Sequence, residues 1–159
     1  MSQYSAAKAI LVGGLIAATL DITYAISYSA WRGMAPQSLL QFVASGLLGP
    51  ASFEGGQATA ALGMLLHYVM MLIIAAIFFW ISRRLTFLVE KPLIWGPIFG
   101  FVVYWVMNLV VMQLSATPNK WRFIPLSFAT GIVVHMFCIG LPIAWAASKA
   151  SRPVGQASA

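Results

Sequence analysis

The sequence predicts an all-α membrane protein: a four-transmembrane-helix bundle with a short interfacial helix between helices 1 and 2. Three observations carry this. Of 159 residues, 61% are hydrophobic and 8% charged, a usage far outside that of soluble domains. Four apolar runs, at about 9–29, 58–81, 93–114 and 125–147, are each long enough to cross a hydrocarbon core of about 30 Å at 1.5 Å per residue. The nine Lys and Arg residues fall mostly at the ends of these runs, where they orient a chain in a bilayer. Residues 1–159 form one integral membrane domain, because no stretch is left over for a separate soluble unit.

The first run follows Lys8 and carries Asp21. A cleaved signal peptide is the rival reading, since Lys8, the apolar stretch and the small residues from Ser27 to Ala30 roughly fit one. An acidic residue near the end of the apolar region argues against it. The longest connection follows, and its core PQSLLQFVASGLLG opens with Pro36 in a helix-start context and stops at Gly49-Pro50. At this length it is too short to span, and its mix of Leu, Phe and Val with Gln and Ser places it at the interface or dipping into it. The link after Ser82 carries Arg83, Arg84, Glu90 and Lys91, and the link after Ser115 holds Pro118, Lys120 and Arg122. Trp31, Trp95, Trp121 and Trp145 fall near span ends as interface anchors.

The charges predict an inner-membrane orientation with both termini cytoplasmic. That arrangement puts Lys8, Arg83, Arg84, Lys91, Lys149 and Arg152 inside and only Arg32, Lys120 and Arg122 outside. The formal charge of +6 is thereby accounted for without a nucleic-acid partner; the expected partners are the lipid bilayer, a proton or small solute, and further copies or a larger membrane complex. Cys138 is the only cysteine, which excludes an internal disulfide and multi-thiolate metal sites.

Four polar residues interrupt the spans at a common level. Asp21 stands about 12 residues up the first helix and Asn108 about 15 up the third, while His67 and His135 lie about 10 residues down theirs. At 1.5 Å per residue all four fall roughly 8–15 Å below the outer surface. Charged groups at such depth turn inward and pair, so one polar residue per helix predicts an intramembrane cluster, with Tyr24 and Tyr104 within a turn of it. The histidines follow Gly63 and Gly131 at i−4, and Asp21 and Asn108 follow Gly13 and Gly100 at i−8. The matched spacings point to a tandem duplication of a helical hairpin, with the long first loop as an insertion in one copy. The simpler role for these glycines is close helix packing.

The runs ATLDI, ASGLLGPASFEGG, TAALGMLLHY, YWVMNLVVMQLSA and GLPIA resemble the recurring segments of a family of small four-span bacterial inner-membrane proteins, more distantly similar to the YagU-like proteins. The resemblance covers nearly the whole chain and implies membership and location, with no activity attached. It implies that the family's recurring polar residues fall on Asp21, His67, Asn108 and His135. Ala18 departs from it where glycine is usual, and Gln113 where a proline often precedes Leu-Ser.

Enzyme chemistry finds little footing: no serine lies in an elbow motif, Cys138 is deep in an apolar run, and there is no second carboxylate at the depth of Asp21. Only Glu54 and Arg32 stand near a mouth. Met64, Met70, Met71, Met107, Met112 and Met136 read as adaptable packing and not as copper ligands. Three classes remain. The polar layer binds or conducts a proton or small polar solute, with Asp21 bearing the charge, and needs no cofactor. In the second class, His67 and His135 ligate a b-type haem between helices two and four, although no arginine is placed to meet both propionates. In the third, the chain is a structural or assembly subunit and the layer is a packing clasp.

Overall fold

Residues 5–118, 120 and 123–151 are described in the structure, a computed structural model, and they form helices with no strand. Trp121, Arg122 and Arg152 lie outside the described residues. Helix α1 runs Ala6–Trp31, capped by the Ser5 hydroxyl, which accepts from the Lys8 amide at 3.2 Å. It ends at Gly33, whose φ of 84° lets its own amide reach Ala30 and the Met34 amide reach the Ser29 carbonyl. That pair of bonds closes the orphan carbonyls of the last turn.

Helix α2 spans Pro36–Leu48, with proline in its first turn, and passes through Gly49 into a 3₁₀ turn at Gly49–Phe53. Helix α3 is Gly56–Ser82, α4 the single turn Phe87–Glu90, α5 Pro92–Leu114 and α6 Pro125–Ala150. The four long ones, α1, α3, α5 and α6, are long and apolar enough to cross a membrane. They extend one to three residues past most of the predicted limits; at α1 and α5 the reason is that Ser5 and Pro92 supply helix starts outside the strictly apolar runs.

Neighbouring long helices run antiparallel. Along α1, residues 14, 18 and 19 meet 72, 67 and 68 of α3, while Tyr24 and Tyr28 meet Thr130 and Ser127 of α6. Helix α1 therefore lies between α3 and α6, with α5 on the far side of α6. The apolar core occupies the half of the bundle nearer the termini, built from Ala17, Ala18, Met71, Ile74, Phe78, Val103, Ile139 and Ile143. Phe78 and Phe99 meet edge to face at 4.7 Å and close α3 onto α5 there. Outward-facing Leu65, Leu93 and Val133 are 60%, 73% and 54% exposed, which is the perimeter a lipid-solvated bundle presents.

Helices α5 and α6 make the tightest crossing. A methyl group on Gly140 would overlap the Gly96 carbonyl oxygen and lie 2.6 Å from the Gly100 nitrogen, and one on Gly100 would overlap the His135 carbonyl. Gly96 and Gly100 thus form a small-residue notch that admits the α6 backbone, as in other membrane helix pairs. Helix α6 also carries a π-turn at His135–Gly140. Pro142, two residues beyond it, lacks the N–H that would bond the Cys138 carbonyl, which accounts for the widened turn. A second π-turn occupies Met107–Val111 of α5, with no proline to account for it.

Helix α2 crosses α3 at Gly63, where a side chain would collide with the Leu40 carbonyl. It then reaches the end of α5, where Gly46 accepts from the Ala116 amide at 2.9 Å and Ser45 donates to Thr117 at 2.8 Å. Its inward face is Gln41, Ala44 and Ser45, and its outward face includes Leu47 at 63% exposure. Polar inside and apolar outside is the pattern of a helix seated against lipid rather than water.

Candidate functional site

Above the apolar core, toward α2, the interior becomes polar. The His67 ring nitrogen Nε2 lies 3.0 Å from the Ala18 carbonyl oxygen of α1 and 4.0 Å from Asp21 Oδ2. A carbonyl can only accept, so Nε2 carries the proton and Nδ1 is left with the lone pair. Both side chains are largely enclosed, at 9% and 14% exposure for His67 and Asp21. Ala18 is fully buried, and its short side chain lets α1 approach α3 closely enough for this bond.

His135 approaches from α6. Its Nδ1 donates to the Gly131 carbonyl one turn back, at 2.9 Å, which leaves Nε2 as its accepting atom. The ring stands perpendicular to Tyr104 of α5, with centroids 5.2 Å apart. The Tyr104 ring in turn fills the space beside Gly131. Asp21 lies within electrostatic reach of both imidazoles and of Tyr24 and Cys138, and Tyr24 within that of Tyr104. Of the predicted residues, Asp21 meets His67 at 4.0 Å and Tyr104 meets His135 ring to ring.

The Asn108 side-chain amide donates to the Tyr104 carbonyl of its own helix at 2.8 Å. The four spaced glycines also meet unlike partners: Gly13 abuts Ile143 and Ala146, Gly63 abuts α2, Gly100 abuts the α6 backbone and Gly131 abuts an aromatic ring. Their shared property is close packing.

Sequence reasoning missed a polar stripe beside the cluster. Tyr24 donates to Thr130 at 2.6 Å, and Tyr28 shares a hydrogen bond with Ser127 at 2.8 Å. The signal was available, since Asp21, Tyr24, Tyr28 and Arg32 are spaced at three, four and four residues, which is one face of a helix.

Iron ligation by both histidines would use a lone pair on each ring. With Nε2 of His67 on the Ala18 carbonyl and Nδ1 of His135 on the Gly131 carbonyl, the atoms left to supply it are Nδ1 of His67 and Nε2 of His135. Among the described residues no three His, Cys, Asp or Glu side chains converge as metal ligands.

The architecture and its apolar perimeter fit an integral, multi-pass helical membrane protein. Comparison of the chain with protein families, with curated proteins and with solved structures finds no match in any of the three. The chemistry of the Asp21 neighbourhood is what remains to read a function from.

Proposed function

We propose that Asp21, flanked by His67 and His135, is an intramembrane binding site for a proton or a small polar solute. The observation that supports this reading is the enclosed carboxylate 4.0 Å from an imidazole nitrogen and in electrostatic reach of a second imidazole. Ionisable groups inside a span are costly, and they are retained where they bind, relay or pair. Here each imidazole has one nitrogen tied to a backbone carbonyl and the other available to take a proton. The arrangement can therefore hold a proton on any of three groups without moving a helix.

Infrared difference spectroscopy in lipid nanodiscs tests it. The chain has three side-chain carboxyls, Asp21, Glu54 and Glu90, so an Asp21→Asn subtraction isolates the Asp21 carbonyl stretch. A pH-dependent exchange of that band between its acid and carboxylate forms is the expected result. A band fixed in one form across the stable pH range leaves Asp21 as a packing clasp.

The reading also places both termini on the cytoplasmic side of the inner membrane, by the excess of Lys and Arg on the loop and tail at that end. Reporter fusions after Arg84 and after Ala159 are expected to be cytoplasmic and a fusion at Gly55 external. An external reporter at Ala159 would reverse the orientation and put the site in the inner half.

A further inference from the structure

We propose that the species exchanged at Asp21 is a proton, delivered from the α2 end of the bundle along a ladder of hydroxyls on the seam between α1 and α6; this rests on the reading of Asp21 as a site. An open cavity of about 240 Å³, lined by Tyr28, Ser29, Arg32, Met34 and Ser127, forms the mouth of the seam. Arg32 donates to the Tyr28 hydroxyl at 3.5 Å, and Tyr28 and Ser127 bond across the seam at 2.8 Å. One turn deeper Tyr24 and Thr130 bond across it again at 2.6 Å, and one turn below that stands Asp21. The Tyr24 and Tyr28 rings stack at 5.5 Å, so both hydroxyls follow the same face of α1.

These two rungs are what select the species. A solute with heavy atoms has to part α1 from α6 at both the Tyr28–Ser127 and the Tyr24–Thr130 bonds before it reaches the carboxylate. A proton does not. Each hydroxyl oxygen accepts the incoming proton, forming one O–H bond, and releases the proton it already held, breaking the other. The hydroxyl stays neutral and resets by rotation, while the charge passes inward to the Asp21 carboxylate or to a free imidazole nitrogen. Successive rungs are one helical turn apart, about 5–6 Å, which a single bridging water covers. The titratable groups facing Asp21 are His67 from α3, His135 and Cys138 from α6, and Tyr24 from its own helix, with Tyr104 from α5 facing Tyr24.

The test is the rate at which the Asp21 carboxyl band responds to a pH jump, followed by time-resolved infrared spectroscopy on the full chain in nanodiscs. Tyr24→Phe and, independently, Thr130→Val each remove one hydroxyl of the inner rung with little change of shape. Either substitution is expected to slow the response by at least about tenfold while Asp21 still completes its titration. Tyr68→Phe removes a hydroxyl that bonds Thr19 on the α1–α3 side and is expected to leave the rate unchanged. Wild-type rates in both Tyr24→Phe and Thr130→Val, with Asp21 still titrating, would overturn the route and leave the site standing. A wild-type Asp21 that never titrates removes the site and the route together.

Discussion

Gly140→Val and Gly100→Val are expected to destabilise the bundle by about 3 kcal/mol or more each, at the upper end of what overpacking costs. At both positions the new side chain meets backbone. From Gly140 it runs into the Gly96 carbonyl and the Gly100 nitrogen and Cα, and from Gly100 into the His135 carbonyl and the Met136 Cα. A flexible side chain could rotate away, but these atoms cannot, so α5 and α6 must separate and lose contact along the crossing. The control is Gly46→Ala in α2, where the added methyl meets only the Ser115 Cβ at 3.8 Å; it is expected to be neutral or slightly stabilising, since alanine is the better helix former. Denaturation in mixed micelles, scored by loss of helicity, measures all three. Wild-type stability in Gly140→Val would mean that α5 and α6 are not packed as described. Because His135 opens the π-turn beside this crossing, a partly folded Gly140→Val protein is also expected to lose the His135–Tyr104 ring contact.

Asp21→Asn is expected to leave the bundle folded and to remove the carboxyl part of its response to pH. The amide has the size of the carboxyl and can still hydrogen-bond, but it neither takes up a proton nor presents a charge to the imidazoles. Asp21→Leu is expected to cost about 1–3 kcal/mol more than Asp21→Asn, because it leaves enclosed polar groups without a polar neighbour. The pair of variants separates charge from packing. If Asp21 only clasps, Asn is silent in every assay and Leu is destabilising. If Asp21 is a site, Asn is silent in stability and deficient in proton uptake.

The class of fold was legible because bilayer thickness acts on the sequence directly: each span must be continuously apolar, and Asp21, His67 and His135 stand out against that background. Counting residues along straight helices brings them to one level, and of the three His67 and Asp21 lie 4.0 Å apart. The local geometry of Asn108 was not legible: it sits in a π-turn and bonds its own Tyr104 carbonyl, and a π-turn without a proline leaves no mark in the sequence. The site of close approach between α5 and α6 was half legible. Gly100 was singled out, but Gly96 and Gly140 matter equally, and pairing across two helices is not encoded by spacing within one. The polar inward face of α2 was hidden for a related reason. Its Gln41 and Ser45 look solvent-facing in a short amphipathic segment until Gly56 and Thr117 are seen to receive them.

The central claim is that Asp21, His67 and His135 bind protons as one cluster. Its most direct test is the titration of the two histidines, the only ones in the chain, followed through their imidazole ¹⁵N signals by solid-state NMR in lipid for the wild type and for Asp21→Asn. Groups this close titrate together and not independently. The prediction is that both histidine curves move when the carboxylate is removed, with the chemical shifts of His67 and His135 in the wild type changing in common steps. Superimposable curves in the two proteins would contradict the account, because they would place Asp21 outside the electrostatic environment of either imidazole.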